Sequence, residues 1–222
     1  MNYILNIETA TRNCSVSLAQ DGIVIASREV AEQGYSHAEK LHVFIEAVLE
    51  EAKITFAQLS AVAVSQGPGS YTGLRIGVSA AKGLCFALSI PLIAIDTLAV
   101  LAQQVNIEDG LIIPMIDARR MEVYSAVFNK DHQCIRAVEA EILTKTSFND
   151  YSETLYFVGD SSQKAATLLH QKHHVYIETA IFPSANEMAS LSFEKFKHNL
   201  FEDLAYFQPL YLKEFQSASS VG

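Results

Sequence analysis

Gln66 to Gly77 reads QGPGSYTGLRIG. It lies between an apolar run, Ser60 to Ser65, that patterns as a strand, and a second apolar run from Gly73 that patterns as a helix. Gly67 and Gly69 allow sharp backbone turns, Pro68 fixes one dihedral between them, and Ser70 or Thr72 is placed to cap the helix. A helix start of this kind presents N–H groups that suit a phosphate, a carboxylate or a neighbouring chain, whereas a tight strand-to-helix turn with no ligand uses the same residues. Gly67, Gly69, Ser70 and Thr72 are therefore candidate anion contacts. The stretch is not a P-loop, because Leu74 and Arg75 follow Gly73 where that motif needs lysine and a hydroxyl.

Upstream of the loop, Tyr3 to Ile7, Cys14 to Leu18 and Ile23 to Val30 are β-rich, and Asp21-Gly22 before the third run is a hairpin signal. Ser36 to Lys53 repeats apolar residues at helical spacing, through Leu41, Phe44, Ile45, Val48, Leu49 and Ala52. Downstream come a helix to Leu88, a strand Leu92 to Ile95, and a third helix capped by Asp96 or Thr97 and running to about Val105. A second unit starts near Gly110. It has strands at Leu111 to Ile116, Glu122 to Asn129, Ile135 to Leu143, Leu155 to Val158 and His173 to Ile177, and helices at Ser161 to His170 and Ser184 to Leu200. The chain divides at 108/109 into two lobes of similar build, which suggests a duplication, with the last segment placed to pack back on the first lobe.

Half of the 222 residues are apolar, enough for a sizeable core. The longest apolar run, Leu84 to Ile95, is broken by Ser89 and Pro91, so no membrane span or signal peptide is expected. Three cysteines, Cys14, Cys85 and Cys134, lie far apart without metal or redox spacing, as expected of reduced core cysteines in a cytoplasmic protein. A formal charge of −9 removes the broad positive field that nucleic-acid binding draws on. Any contact with tRNA or DNA is then indirect or confined to a small patch.

The helix after the glycine loop has its polar residues Arg75, Ser79 and Lys82 in one narrow strip, with apolar and small residues around the rest. Gly77, Ala80, Ala81, Gly83 and Ala87 admit a close helix, and Phe86 falls on the polar strip, where a lone soluble domain gains little from an aromatic. Two-sided packing is expected, the second side covered either by a partner protein or by the chain itself. His37, Leu41, Phe44, Val48, Arg75, Ile76, Gly77, Ser79, Ala80, Lys82, Gly83 and Phe86 form the candidate partner face.

The glycine loop, the opening ILNIETATRNCSVSL, the segment IDARRMEVY (Ile116 to Tyr124) and the closing PLYLK (Pro209 to Lys213) together resemble the bacterial TsaB family, also called YeaZ. The resemblance covers nearly the whole chain. It implies an α/β fold of two actin-like (ribonuclease H-like) lobes, each a mixed sheet with helices, the second smaller and degenerate. It also implies a non-catalytic, scaffolding role beside TsaD and the ATPase TsaE in making N6-threonylcarbamoyladenosine next to the tRNA anticodon. A homodimer is expected when the chain is alone, and tRNA is reached indirectly through the complex. The isolated chain needs no cofactor, while ADP or ATP is admitted at the complex interface.

An actin-like phosphotransferase wraps a glycine-containing hairpin around the nucleotide phosphates. The matching segment, Glu8-Thr9-Ala10-Thr11-Arg12-Asn13, has no glycine and carries glutamate in place of aspartate. With Asp117, Arg119, Gly159 and Asp160 it makes at most a vestigial anion site. Asp117, at the hairpin facing the cleft, is expected to hold Arg119 in a salt bridge that fixes the angle between lobes, and Lys213 stands where the family usually has arginine. No metal site is expected, because the helix where TsaD relatives carry HxxxH has no histidine here, and His37 and His42 diverge around their helix. The alternative is an ATP-dependent phosphotransferase of the acetate or sugar kinase type, which requires nucleotide binding through Glu8, Thr11, Asp117 and Gly159.

Overall fold

A computed structural model describes residues 1–31 and 37–213. Sheet one holds β1 (Tyr3–Glu8), β2 (Asn13–Gln20), β3 (Ile23–Ala31), β4 (Leu59–Gly67) and β5 (Leu92–Asp96) in the order β3-β2-β1-β4-β5. Sheet two holds β6 (Leu111–Asp117), β7 (Glu122–Asn129), β8 (Cys134–Ile142), β9 (Leu155–Val158) and β10 (His174–Tyr176) in the order β8-β7-β6-β9-β10. In each sheet the first three strands form an antiparallel meander and the last two join in parallel. One topology is thus built twice, which residue identity between the halves is too faint to show.

Sheet one is covered on both faces, so its central strands are apolar throughout. Leu5 and Ile7 of β1 point to the core shared with α1 (His37–Ala52) and α2 (Tyr71–Leu88), while Ile4 points to Met188 of α5 (Ala185–Lys197). The last helix therefore serves the first sheet. Its seat is a stripe of buried polar groups. Ser192 donates to Asn6 Oδ1 (2.7 Å), Ser17 donates to the Ala185 carbonyl (2.6 Å), and the Ala185 N–H donates to Ser15 Oγ (3.0 Å). The third helix, α3 (Thr97–Ala102), crosses the other way, with Leu98 and Leu101 in the core of sheet two beside Ile112, Ile116 and Val158.

Several element ends differ from expectation. α3 stops at Ala102, short of Val105, and the side chain of Gln104 leaves the helix to reach the Phe182 carbonyl at 2.7 Å. α4 covers only Ser162–Ala166 where a helix from Ser161 to His170 was expected, because the chain must turn back to start β10 beside β9, and the Tyr176 hydroxyl holds the Leu169 carbonyl in that turn (2.7 Å). α5 ends at Lys197, where Asn199 turns left-handed (φ 53°). The expected start of α1 at Ser36 lies outside the described residues.

The β2–β3 hairpin uses the Asp21-Gly22 turn foreseen from sequence, with both residues at positive φ (49° and 85°). The β6–β7 hairpin uses Arg119 (φ 73°) and Arg120 (φ 53°) in its turn instead. After α5 the chain returns along α2. Leu204 and Phe207 pack on the core of sheet one, and the Leu210 N–H donates to the Gln66 carbonyl (2.7 Å).

Candidate functional site

The glycine loop is docked on the β1–β2 turn. Ser70 caps α2 by accepting the Gly73 N–H (3.3 Å), and its own N–H donates to the Ala10 carbonyl (2.7 Å). Thr72, the other capping candidate, is exposed. A methyl group added at Gly69 or Gly73 would lie within 3.0 Å of the carbonyl oxygens of Ala10 and Thr9, and one at Gly77 would strike Thr9 Oγ1. Gly67 sits at φ +116° against the Leu210 carbonyl. These glycines admit the chain's own backbone where a phosphate cradle would leave room for a ligand.

The facing residues are sealed in consequence. Glu8, Thr9 and Thr11 are buried. Thr9 Oγ1 donates to the Gly73 carbonyl (2.8 Å), and the Glu8 carboxyl takes the Ala10 N–H (2.6 Å) and the Ser65 hydroxyl. Burial pushes the Glu8 pKa from 4.5 up to about 7, against the opposing pull of these hydrogen bonds. A carboxylic acid so enclosed is poorly placed to ligate a metal-bound water.

Across the junction, Asp117 and Arg119 do not form the expected side-chain pair. Asp117 is bridged by Lys164 of α4 and accepts only the Arg119 backbone N–H (3.1 Å). The reason is geometric: Arg119 lies in the left-handed turn and points to solvent, while Lys164 is held beside β6 and also donates to the Glu122 carbonyl (3.2 Å). Asp160 accepts the Asp117 N–H (2.9 Å), and burial raises its pKa. Gly159 packs on the Met115 carbonyl. Gly159 and Asp160 line an open depression of about 450 Å³ with Ser162, Gln163, Glu178 and Ile181, and a larger groove of about 580 Å³ includes Glu29 and Glu187. Neither is lined by lysine or arginine, so neither offers phosphate a cation. Among the described residues no three of His, Cys, Asp and Glu converge as for a metal ion.

The candidate partner face divides. His37, Leu41, Val48 and Gly77 point into the chain's own core and present no surface; their apolar or small character serves internal packing. His37 is fixed there by its ring Nε2, 2.8 Å from the Thr11 carbonyl. Phe44, Ile76, Ala80 and Lys82 are half-buried, and Arg75, Ser79, Gly83 and Phe86 are exposed, Phe86 at 81%. Gly83 has open space around it. One flank of α2 is taken by the chain's C-terminal segment: Lys82 donates to the carbonyls of Ala205 (3.3 Å) and Phe207 (3.0 Å), and Arg75 lies over Tyr71 and donates to the Tyr211 hydroxyl (3.2 Å). Lys213 then pairs with Glu122, tying this segment to the second sheet. Sequence reading missed Ser65, Lys164 and the exposed Tyr206 of this segment; only the spacing Asp160 to Lys164, one helical turn, pointed to any of them.

Two sheets of identical strand order, each an antiparallel meander extended by two parallel strands, define a two-lobed α/β protein. The solved structure described as YeaZ from Pseudomonas aeruginosa superposes with a TM-score of 0.82 at 26% identity, over 96% of this chain and all of that one. The family model described as TsaD: tRNA N6-adenosine threonylcarbamoyltransferase matches residues 25–220, and the chain belongs to this family, among its TsaB, or YeaZ, members. The Escherichia coli protein named tRNA threonylcarbamoyladenosine biosynthesis protein TsaB is 29% identical over 95% of this chain and 94% of its own length. The Bacillus subtilis protein of the same name is 36% identical over 56% of this chain and 54% of its own.

Proposed function

We propose that this chain is a non-catalytic subunit of the bacterial machinery that forms N6-threonylcarbamoyladenosine beside the tRNA anticodon, and that it works by docking a TsaD homologue, with TsaE joining the assembly. The names of its relatives support the pathway. The observation that carries the non-catalytic reading is the glycine loop packed on Thr9 and Ala10 of the buried segment Glu8 to Thr11, the place where a phosphotransferase would hold its nucleotide. The docking surface is the outer face of α2, with Phe86 at its centre and Arg75, Ser79, Ala80 and Gly83 around it. Burying such a phenylalanine is worth about 2 to 3 kcal/mol, and Gly83 lets a facing helix approach. The same face joins two copies when the chain is alone, ADP or ATP binds where the subunits meet, and tRNA is brought in by the complex.

The test mixes this chain with TsaD and TsaE homologues and measures modified adenosine with each component omitted in turn. Omission of this chain is expected to abolish product. Phe86→Glu is expected to abolish co-elution with TsaD while thermal stability changes little, as for other exposed positions. Co-elution that survives this change removes the proposed surface. Modification by this chain alone, or micromolar ATP binding with turnover in calorimetry with magnesium, removes the non-catalytic reading.

A further inference from the structure

The turn between β6 and β7 is built from the wrong residues for its backbone. Two consecutive left-handed residues in a hairpin are the province of Asn-Gly or Asp-Gly, and this chain uses Asp21-Gly22 for such a turn between β2 and β3. At Arg119 and Arg120 it places two long side chains in the same region, and both are exposed. Non-glycine residues in such strained conformations cluster at functional sites, where another demand overrides backbone preference.

Charge identifies that demand. The carboxylates and cations nearby neutralise one another: Asp117 is bridged by Lys164, Glu122 by Lys213, and Glu141 by Arg136. Asp160 is turned inward to the Asp117 N–H and the Ser161 hydroxyl. Among the described residues neither Arg119 nor Arg120 enters an ion pair, so two guanidinium groups are left over at one tip of a chain whose formal charge is −9. An anion recognised there must be small in cross-section or strand-like, because the surrounding chain repels broad negative surfaces. A guanidinium fork matches phosphate oxygens two at a time.

We propose that the Arg119-Arg120 tip contacts the phosphodiester backbone of RNA directly. The inference rests on the reading above that the chain works in a tRNA-modifying assembly, and it adds a point of contact on this subunit to that reading. The tip reads no bases. It positions the RNA strand against the assembly.

The experiment measures fluorescence anisotropy of a labelled, unmodified tRNA transcript against the assembled subunits over a range of salt concentrations. Arg119→Gly/Arg120→Gly is expected to weaken binding for every tRNA transcript tried and to make the slope of log K against log salt shallower by about 2, roughly one for each phosphate no longer neutralised. The same variant, relieved of the strained turn, is expected to unfold at no lower temperature than the wild type. Arg119→Glu/Arg120→Glu weakens binding further, and Arg119→Lys/Arg120→Lys keeps most of the slope. An unchanged salt slope in the glycine variant overturns the proposal. So does loss of subunit co-elution with tRNA affinity intact, which would make the tip a contact for an acidic protein, and so does an equal loss of affinity for ADP alone, which would assign it to mononucleotides. Docking through Phe86 is read separately by co-elution, so the two readings fail independently.

Discussion

Gly73 and Gly83 sit on one helix, and replacement of each by alanine should move stability in opposite directions. At Gly83 nothing lies within 4 Å of the new methyl group, so only the helix preference for alanine acts, about 1 kcal/mol of stabilisation. At Gly73 the methyl group would fall within 3.0 Å of the Thr9 carbonyl oxygen, a backbone atom that cannot swing aside. Relief requires the loop to lift off the β1–β2 turn, which breaks the Thr9 to Gly73 hydrogen bond (2.8 Å) and the Ser70 to Ala10 hydrogen bond (2.7 Å). Overpacking of about 1–3 kcal/mol and two hydrogen bonds of about 1 kcal/mol each, less the helix gain, leave about 3 kcal/mol of destabilisation. For a chain of this length each kcal/mol moves the unfolding midpoint by about 2–4 °C, so Gly73→Ala should melt about 6–12 °C lower and Gly83→Ala about 2–4 °C higher. Circular dichroism melts at equal concentration measure both. A Gly73→Ala midpoint within a degree of the wild type would mean that the loop stands clear of the turn, and the argument for a filled cleft would fall with it.

Three further outcomes are expected. The Glu8 carboxyl has a folded-state pKa near 7 against an unfolded value of 4.5, so its favourable contribution is complete below pH 4.5 and is lost as pH rises through 7. Melting midpoints of Glu8→Gln and wild type should diverge in favour of the variant between pH 5 and 8, and a constant difference across that range would refute the buried-acid assignment. Gly77→Ala should destabilise less when combined with Thr9→Ala than the two single changes sum to, because the clash is with Thr9 Oγ1; strict additivity in a double-mutant cycle would contradict the contact. Lys82→Met removes the two hydrogen bonds that hold the Ala205 and Phe207 carbonyls, and limited proteolysis should then cut near Tyr206 several-fold faster at little cost in melting temperature. Equal cutting rates would show that the segment is held by packing alone.

Much of the fold is legible along the chain because its signals are local. Period-two and helical spacing mark all ten strands closely and the long helices α1, α2 and α5, and Asp21-Gly22 marks the β2–β3 hairpin. The weak spot is α4, where an element of five residues carries too little of any period to fix its end. The candidate site was half legible. The segments Glu8 to Asn13, Gly67 to Gly77 and Asp117 to Glu122 are all visible as motifs, and the absence of a glycine at the first already argued against a phosphate cradle.

By itself the sequence determined the element order, the exposed aromatic on α2 and the family. The tertiary structure alone decided which way the small residues of the glycine loop face, because helical spacing fixes relative angles around an axis and leaves open what lies on each side. It likewise decided that Asp117 pairs with Lys164 and that α3 and α5 exchange sheets, since the first of these joins residues 47 positions apart and the others bridge the two halves of the chain, and no local pattern encodes a partner at that distance.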